Sequence, residues 1–412
     1  MRDPFESVPM RARQGVLVSV LLVAALVLLG AVNRNALGMV GVLVFFFVVM
    51  IGVHELGHFV FAKRAGMKVT EFFIGFGPRI WSTTRGETEY GIKAIPLGGY
   101  CKIIGMTNLE DVDVDDEPKA FRNATFWGKF TTLIAGPASH FVLAFLLMWT
   151  VLTFGGEYRP LPVVSAVSAG SPAAAAGLRA GDRLLSIDNH AIASWSDATT
   201  AIHAAGGRTV EVVVRRGDST KVLHASIGDH NPDTGARMGF LGVSPDQQMV
   251  HRSVGEALVA APGKVVSVTA ATLHGFAHVF SPSGISAYVH NFTGTHDKQQ
   301  QTAAQNSRFM SPVGVGRYAY DAVDAGWVTV FGLLIAINVS VGLINLVPLI
   351  PFDGGHIAVA AYESVMSRVY RRRYRVDFHK LMPIAVATLT ILGFIFVSSL
   401  FLDIANPIKN PF

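Results

Sequence analysis

The chain has 412 residues, of which 50% are hydrophobic and 15% charged, with a formal charge of +5. Globular chains carry about 25% charged side chains, so this composition excludes an ordinary soluble enzyme and describes a membrane protein. A single cysteine, Cys101, excludes an internal disulfide framework and a cysteine-rich metal site, which leaves histidine and carboxylate as ligands for any metal. The basic excess is what short cytoplasmic loops carry, and no nucleic-acid partner is expected from it.

In chain order, apolar runs near the roughly 20 residues that a spanning helix needs fall at 15–32, 37–62, 131–154, 327–350 and 381–402. The first, in segment 1–36, follows Arg2, Arg11 and Arg13 and leaves through Gly30-Ala31-Val32-Asn33. It reads as an uncleaved anchor rather than a signal peptide. The second span occupies 37–66. Residues 67–105 are rich in glycine, aromatic and β-branched residues around the turn signal Arg85-Gly86-Glu87, which predicts strands near 70–73, 79–84 and 89–95 in a small membrane-associated β-sheet. After the third span, in 131–156, residues 157–245 alternate strands such as 209–215 with turns at Gly206-Gly207 and Arg216-Gly217-Asp218, the pattern of a mixed α/β domain. Segment 246–326 holds a helix-like stretch of modest amphipathicity at 250–280 and a polar linker around Gln299-Gln300-Gln301. The fourth span and a basic loop fill 327–380, and the last span with its tail fills 381–412.

Positive charge in short loops stays cytoplasmic. Lys63, Arg64 and Lys68 follow the second span, Lys119, Arg122 and Lys129 precede the third, and Arg368, Arg371, Arg372, Arg373 and Arg375 lie between the last two. The expected protein is therefore a multi-pass α-helical protein of the cell (inner or plasma) membrane, with its α/β domain extracytoplasmic.

The second span contains His54-Glu55-Leu56-Gly57-His58. One helical turn apart, the two imidazoles share a face and can reach one zinc ion, while Glu55 stands close enough to act as a base on water there. Ionisable groups in a membrane helix are costly, which argues for use; the bland alternative is a partly wet set of residues pairing with each other. A catalytic zinc site generally uses three protein ligands. At matching depth stands Asp353, in Asn345-Leu346-Val347-Pro348-Leu349-Ile350-Pro351-Phe352-Asp353-Gly354-Gly355-His356, where prolines break the helix beside what must be protein or a wet cavity. Asp353 can also simply cap the helix that begins at Gly354, and His356 is a rival ligand.

With these residues, and with Phe76-Gly77-Pro78, Pro96-Leu97-Gly98-Gly99-Tyr100 and Ala135-Gly136-Pro137, most of 39–405 resembles a site-2 protease, an intramembrane zinc metalloprotease of the bacterial type with one PDZ domain. The resemblance implies that His54, His58 and Asp353 bind Zn2+, that Glu55 is the general base and that Asn345 positions substrate. It favours Asp353 over His356. One departure is His140, where family members commonly place Asn three residues after the Gly-Pro of this span; it either handles substrate differently or is a histidine satisfied inside the bundle. Another is the additional N-terminal helix. Gly98 and Gly99 permit close approach of an unwound substrate strand to the sheet edge, or form a plain tight turn. The stretch from Ser171-Pro172-Ala173 to Gly181-Asp182, followed by Arg183-Leu184-Leu185-Ser186-Ile187-Asp188, resembles the PDZ domains of bacterial proteases, with Gly239-Phe240-Leu241-Gly242-Val243 as a carboxylate-binding loop. Such a domain binds peptide or filters substrates by size.

The resemblance implies regulated intramembrane proteolysis of single-span membrane proteins, such as anti-sigma factors or signal-peptide remnants, after a site-1 protease has trimmed them. The rival readings are a non-catalytic PDZ scaffold with a structural metal site, and a metal transporter.

Overall fold

The computed structural model describes residues 34–230, 237–293 and 309–405. The first apolar run, 15–32, and the glutamine linker around Gln299-Gln300-Gln301 lie outside the described residues. In order the elements are α1 (Arg34–Arg64), β1 (Val69–Arg85), β2 (Thr88–Ile103), α2 (Phe126–Thr150), β3 (Glu157–Val167), α3 (Pro172–Ala175), β4 (Arg183–Ile187), β5 (His190–Ala191), α4 (Trp195–Ala204), β6 (Thr209–Arg216), β7 (Ser219–Ser226) and β8 (Val243–Val250). There follow α5 (Val254–Val279), α6 (Pro282–Thr293), α7 (Pro312–Asp324), α8 (Trp327–Asn345), α9 (Asp353–Val369) and α10 (Met382–Ala405). Two units form, one from Met1–Trp149 with Leu258–Phe412 and one from Thr150–Ala257.

Among the described residues, five helices are long and apolar enough to cross a membrane: Val44–Arg64, Phe126–Gly155, Val254–Val279, Trp327–Asn345 and Phe378–Ala405. Four coincide with apolar runs read from the sequence. The other, α5, is the least apolar of the five and corresponds to the stretch expected as a helix of modest amphipathicity.

The region between α1 and α2 forms two long bent strands whose paired segments 71–74, 79–85 and 88–93 match the three strands expected, with 99–102 as a fourth. β1 and β2 bend so that residues 71–74 pair with both 89–92 and 99–102, while residues 79–85 pair with 88–93. Gly98, at φ +132°, stands where β2 swings from one side of 71–74 to the other, and Gly99 pairs with Ile74, so the turn and the close approach both stand. The sheet packs on the end of α1 through a core of Ala62, Met67, Val69, Ile103, Phe121 and Leu133, which Ile357 of α9 joins.

Between α8 and α9 the chain leaves helix over residues 346–352, as Pro348 and Pro351 require, because neither supplies an N–H to a ladder. α9 starts tightly against this turn: a Cβ on Gly354 would strike the Leu346 carbonyl, and one on Gly355 the Leu349–Ile350 peptide. At the far end of α10, Asp403 is buried and accepts from the N–H and hydroxyl of Ser311, the residue that caps α7, both at 2.7 Å. Arg317 of α7 donates to the Asp403 carbonyl at 2.7 Å. α7 in turn touches α1, α8 and α10.

The second unit is a sheet of order β7-β6-β4-β3-β8, with β5 on β4. Alternating inward residues such as Val210, Val212 and Val214 meet Leu184, Ile187 and Ile202 in one core. α4 carries a capping box in which the Ser194 hydroxyl accepts from Asp197 N and the Asp197 carboxylate accepts from Ser194 N.

Asp182 of this unit is fully buried and holds Arg216 through two contacts of 2.7 Å, while also accepting from Arg179 N at 2.9 Å. Burial alone would raise the Asp182 carboxyl, yet Arg216 and the Arg179 N–H hold it below the usual carboxylate value. Its stabilisation is therefore complete above the unfolded carboxyl pKa of about 4 and is lost as pH falls through the lower folded value. Asp182→Asn should destabilise this unit by about 2–3 kcal/mol. Hydrogen–deuterium exchange of the full chain checks it: faster exchange confined to β3–β8 is expected at neutral pH, with the difference from wild type shrinking in acid below the folded pKa.

Candidate metal centre

α1 and α2 approach backbone to backbone where the functional side chains sit. A Cβ on Gly57 would come within 2.6 Å of the Ala135 carbonyl oxygen, and one on Gly136 would run into both imidazoles of His54 and His58. The glycines therefore clear the space between the motif helix and α2. His58 lies fully in this seam, and its Nδ1 donates to the Thr132 carbonyl at 2.8 Å. That bond leaves Nε2 as the lone-pair nitrogen.

Three donor atoms converge. His54 Nε2 and His58 Nε2 lie 3.1 Å apart, and each is 3.4 Å from Asp353 Oδ2. Zinc bonds of about 2.0–2.1 Å in a tetrahedron place neighbouring donors about 3.3 Å apart. The donor set fits zinc in chemistry and in spacing. Among the described residues, His54, His58 and Asp353 form the one such cluster of potential metal-ligating side chains.

The helix-cap alternative for Asp353 gives way here, because the cap position of α9 is Phe352 and Asp353 is its first helical residue. His356 is elsewhere, stacked on Phe378 with ring centroids 6.0 Å apart. Glu55 follows His54 on α1, and β2 reaches it closely: a Cβ on Gly99 would lie 3.2 Å from Glu55 Cγ. Gly98 neighbours it with φ +132°, in the left-handed region that glycine tolerates. Asn345 closes α8, eight residues ahead of Asp353. His140 is 1% exposed and lies 3.1 Å from His54 Nδ1.

The sequence profile described as Peptidase family M50 matches residues 42–392. The chain belongs to this family of site-2 proteases. It is 32% identical over 409 residues to the zinc metalloprotease Rip1 of Mycobacterium tuberculosis, covering 90% of this chain and 98% of the relative. Against zinc metalloprotease Rip1 of Mycolicibacterium smegmatis the identity is 31% over 414 residues, with coverage of 90% and 98%. Among solved structures, the PDZ domain of the SdrC-like protein from Listeria monocytogenes is 25% identical, covers 20% of this chain and 84% of that domain, and has a TM-score of 0.18. This chain is thus a zinc metalloprotease of the membrane, with Zn2+ as its cofactor.

Several residues of the site escape a sequence reading. Thr132 contributes only a carbonyl, which its side chain does not advertise. Lys129 and Glu363 form a 2.8 Å ion pair between α2 and α9, exposed to only 10% and 14%, and Glu363 also accepts from Val376 N at 3.1 Å. The signal for Lys129 was present, a lysine at the start of an apolar span, but its partner is 234 residues away. This pair fixes the helix that begins with Asp353. Removing one partner leaves a buried charge at a cost of about 3–5 kcal/mol. Lys129→Met should therefore lower both thermal stability and zinc content in purified protein, and Lys129→Met/Glu363→Leu should recover part of both, which metal analysis beside thermal unfolding checks.

Proposed function

We propose that the chain is an intramembrane endopeptidase in which His54, His58 and Asp353 hold zinc and Glu55 is the general base. The observation that carries this is the convergence of those three donor atoms, from α1 and α9, at tetrahedral spacing beside Glu55. Zinc held there supplies a Lewis acid that acidifies water and polarises a peptide carbonyl. Glu55 takes the proton of the attacking water and passes it to the leaving amine. Its position beside the Gly99 backbone puts the base next to a sheet edge, and a substrate segment unwound from helix keeps its backbone groups satisfied by pairing along that edge. Gly98 and Gly99 admit the substrate backbone, and Asn345 helps position it. The converging donor set disfavours a transporter, whose ligands would be spread along a path.

The substrates proposed are single-span membrane proteins, already trimmed by a site-1 protease, in regulated intramembrane proteolysis. Contacts between loops support a cytoplasmic active site. Arg373 donates to the Asn123 carbonyl at 3.0 Å, and Phe378 N donates to Asn108 Oδ1 at 3.1 Å, so the loops before α2 and after α9 share one membrane side. Their basic residues make that side cytoplasmic. Crossings by α2 and α8 satisfy this arrangement. A third by α5 would set the loops on opposite faces, and α6 and α7, at 12 and 13 residues, span about 20 Å at most against a core of about 30 Å. We propose on this basis that α5 does not span the membrane and that the second unit is extracytoplasmic.

In that unit we assign peptide contact to β8. It ends the sheet, and it follows the loop 239–243, where Gly239 N donates to the His203 carbonyl at the end of α4 at 3.3 Å. An extended peptide terminus adds to the free edge of β8 in the manner of PDZ recognition.

Co-expression with a truncated single-span substrate tests the reading. Glu55→Gln should retain zinc and lose cleavage by a factor of about 100 or more, whereas Asp353→Asn should lose zinc. A wild-type chain that holds zinc but leaves a varied panel of single-span proteins intact would instead establish the scaffold.

A further inference from the structure

We propose that His140 and Asn338 form an outer ring of the zinc centre, a hydrogen-bonded chain from α8 through α2 to α1 that sets the tautomer and aim of His54. It rests on the metal reading above and moves His140 from positioning substrate to orienting His54. His140 is a positioning residue in this scheme, acting through His54.

The direction of every bond in the chain follows from its far end. Asn338 is fully buried in the middle of α8, and its Nδ2 donates to the Leu334 carbonyl at 2.9 Å. That fixes the amide so that Oδ1 faces His140 Nδ1, 3.3 Å away. An amide oxygen only accepts, so His140 Nδ1 carries the proton. The Nε2 of a neutral His140 is then a lone pair, and it faces His54 Nδ1 at 3.1 Å. His54 Nδ1 must therefore be the protonated nitrogen, which turns the lone pair of His54 Nε2 toward His58 Nε2 and Asp353 Oδ2. Each step leaves one choice, and the last is the tautomer that a metal ligand needs.

Packing holds the chain in place. A Cβ on Gly342, one turn beyond Asn338, would lie 3.1 Å from His140 Cβ, so α8 approaches α2 closely at this level. His140 and His54 stand with ring centroids 5.0 Å apart and planes inclined by 39°. His58 has its own orienting acceptor in the Thr132 carbonyl. His58 is thus oriented from α2 by a backbone carbonyl, and His54 by a backbone hydrogen bond with Gly136 together with the His140 side chain, which must itself be oriented. An asparagine in the middle of an apolar span is costly to bury, and Asn338 has a use in this chain that offsets the cost.

The test uses the full chain purified in detergent, with zinc affinity measured by chelator competition and the cobalt-substituted protein followed by its visible absorption. His140→Leu removes the acceptor for His54 Nδ1 and should weaken zinc binding about 10–100-fold, with a changed cobalt spectrum. His140→Gln restores an acceptor through its amide oxygen and should recover most of the affinity. Asn338→Leu should weaken binding less than His140→Leu, and the double variant should bind no worse than His140→Leu alone, because both act on one chain. Thermal unfolding of the metal-free proteins separates loss of fold from loss of affinity. Wild-type affinity in a folded His140→Leu protein, or a Gln variant as weak as the Leu variant, would overturn the inference. His58→Ala is the control for the site itself: if wild type bound zinc no better than His58→Ala, the metal reading would fall, a result distinct from an effect of His140 alone.

Discussion

The close approach of α1 and α2 at Gly57 and Gly136 is the constraint from which the rest of the centre follows. Two helices normally keep their axes 8–10 Å apart because side chains fill the space between them. Here the absence of two β-carbons lets backbone meet backbone, and the room that remains is occupied by the imidazoles of His54 and His58. Only at that separation can the Thr132 carbonyl and the His140 ring, both on α2, reach the back of each imidazole. A larger residue at position 136 would not merely loosen the packing; it would occupy the space of the two imidazoles themselves.

The third donor of the cluster, Asp353, arrives by a different kind of fastening. α9 begins at a turn tightened by Gly354 and Gly355, which aims Asp353, and it is tied to α2 farther along by Lys129 and Glu363. Contact at two points fixes both the position and the direction of a helix. The polar groups buried along these helices are therefore joined to one another across elements, Asn338 to His140, His140 to His54 and Lys129 to Glu363. In an apolar surrounding such groups stabilise only when paired, so the same bonds that shape the site also specify how the helices assemble.

The sequence made some of this legible for plain reasons. His54, Glu55 and His58 sit at helical spacing, and the period of a helix is local information. Asp353 was accessible because Pro348 and Pro351 mark a break in an apolar run, although the preference for it over His356 came from family resemblance. Gly98 and Gly99 were ambiguous, since glycine pairs serve turns as well as close approaches, and the fold uses both, a bend of β2 at Gly98 and the pairing of Gly99 with Ile74. The meaning of His140 was not legible, because it depends on contacts 86 and 198 residues away. Composition could not decide whether α5 crosses, because a helix of borderline apolarity satisfies both readings. The contact of Arg373 with the Asn123 carbonyl bears on that question through parity, which no local pattern contains.

The hold of Asp403 on Ser311, the cap of α7, gives the last turn of α10 an unexpected importance for anyone who would shorten the chain. A stop codon a few codons earlier would remove what looks like the last turn of a lipid-facing helix. It would also strip Ser311 and Arg317 of their acceptors, and α7 is the element that joins α1, α8 and α10. Damage from such a truncation would spread to helices that begin hundreds of residues upstream, so a deletion series approaching Asp403 should behave as a threshold rather than a gradual trimming.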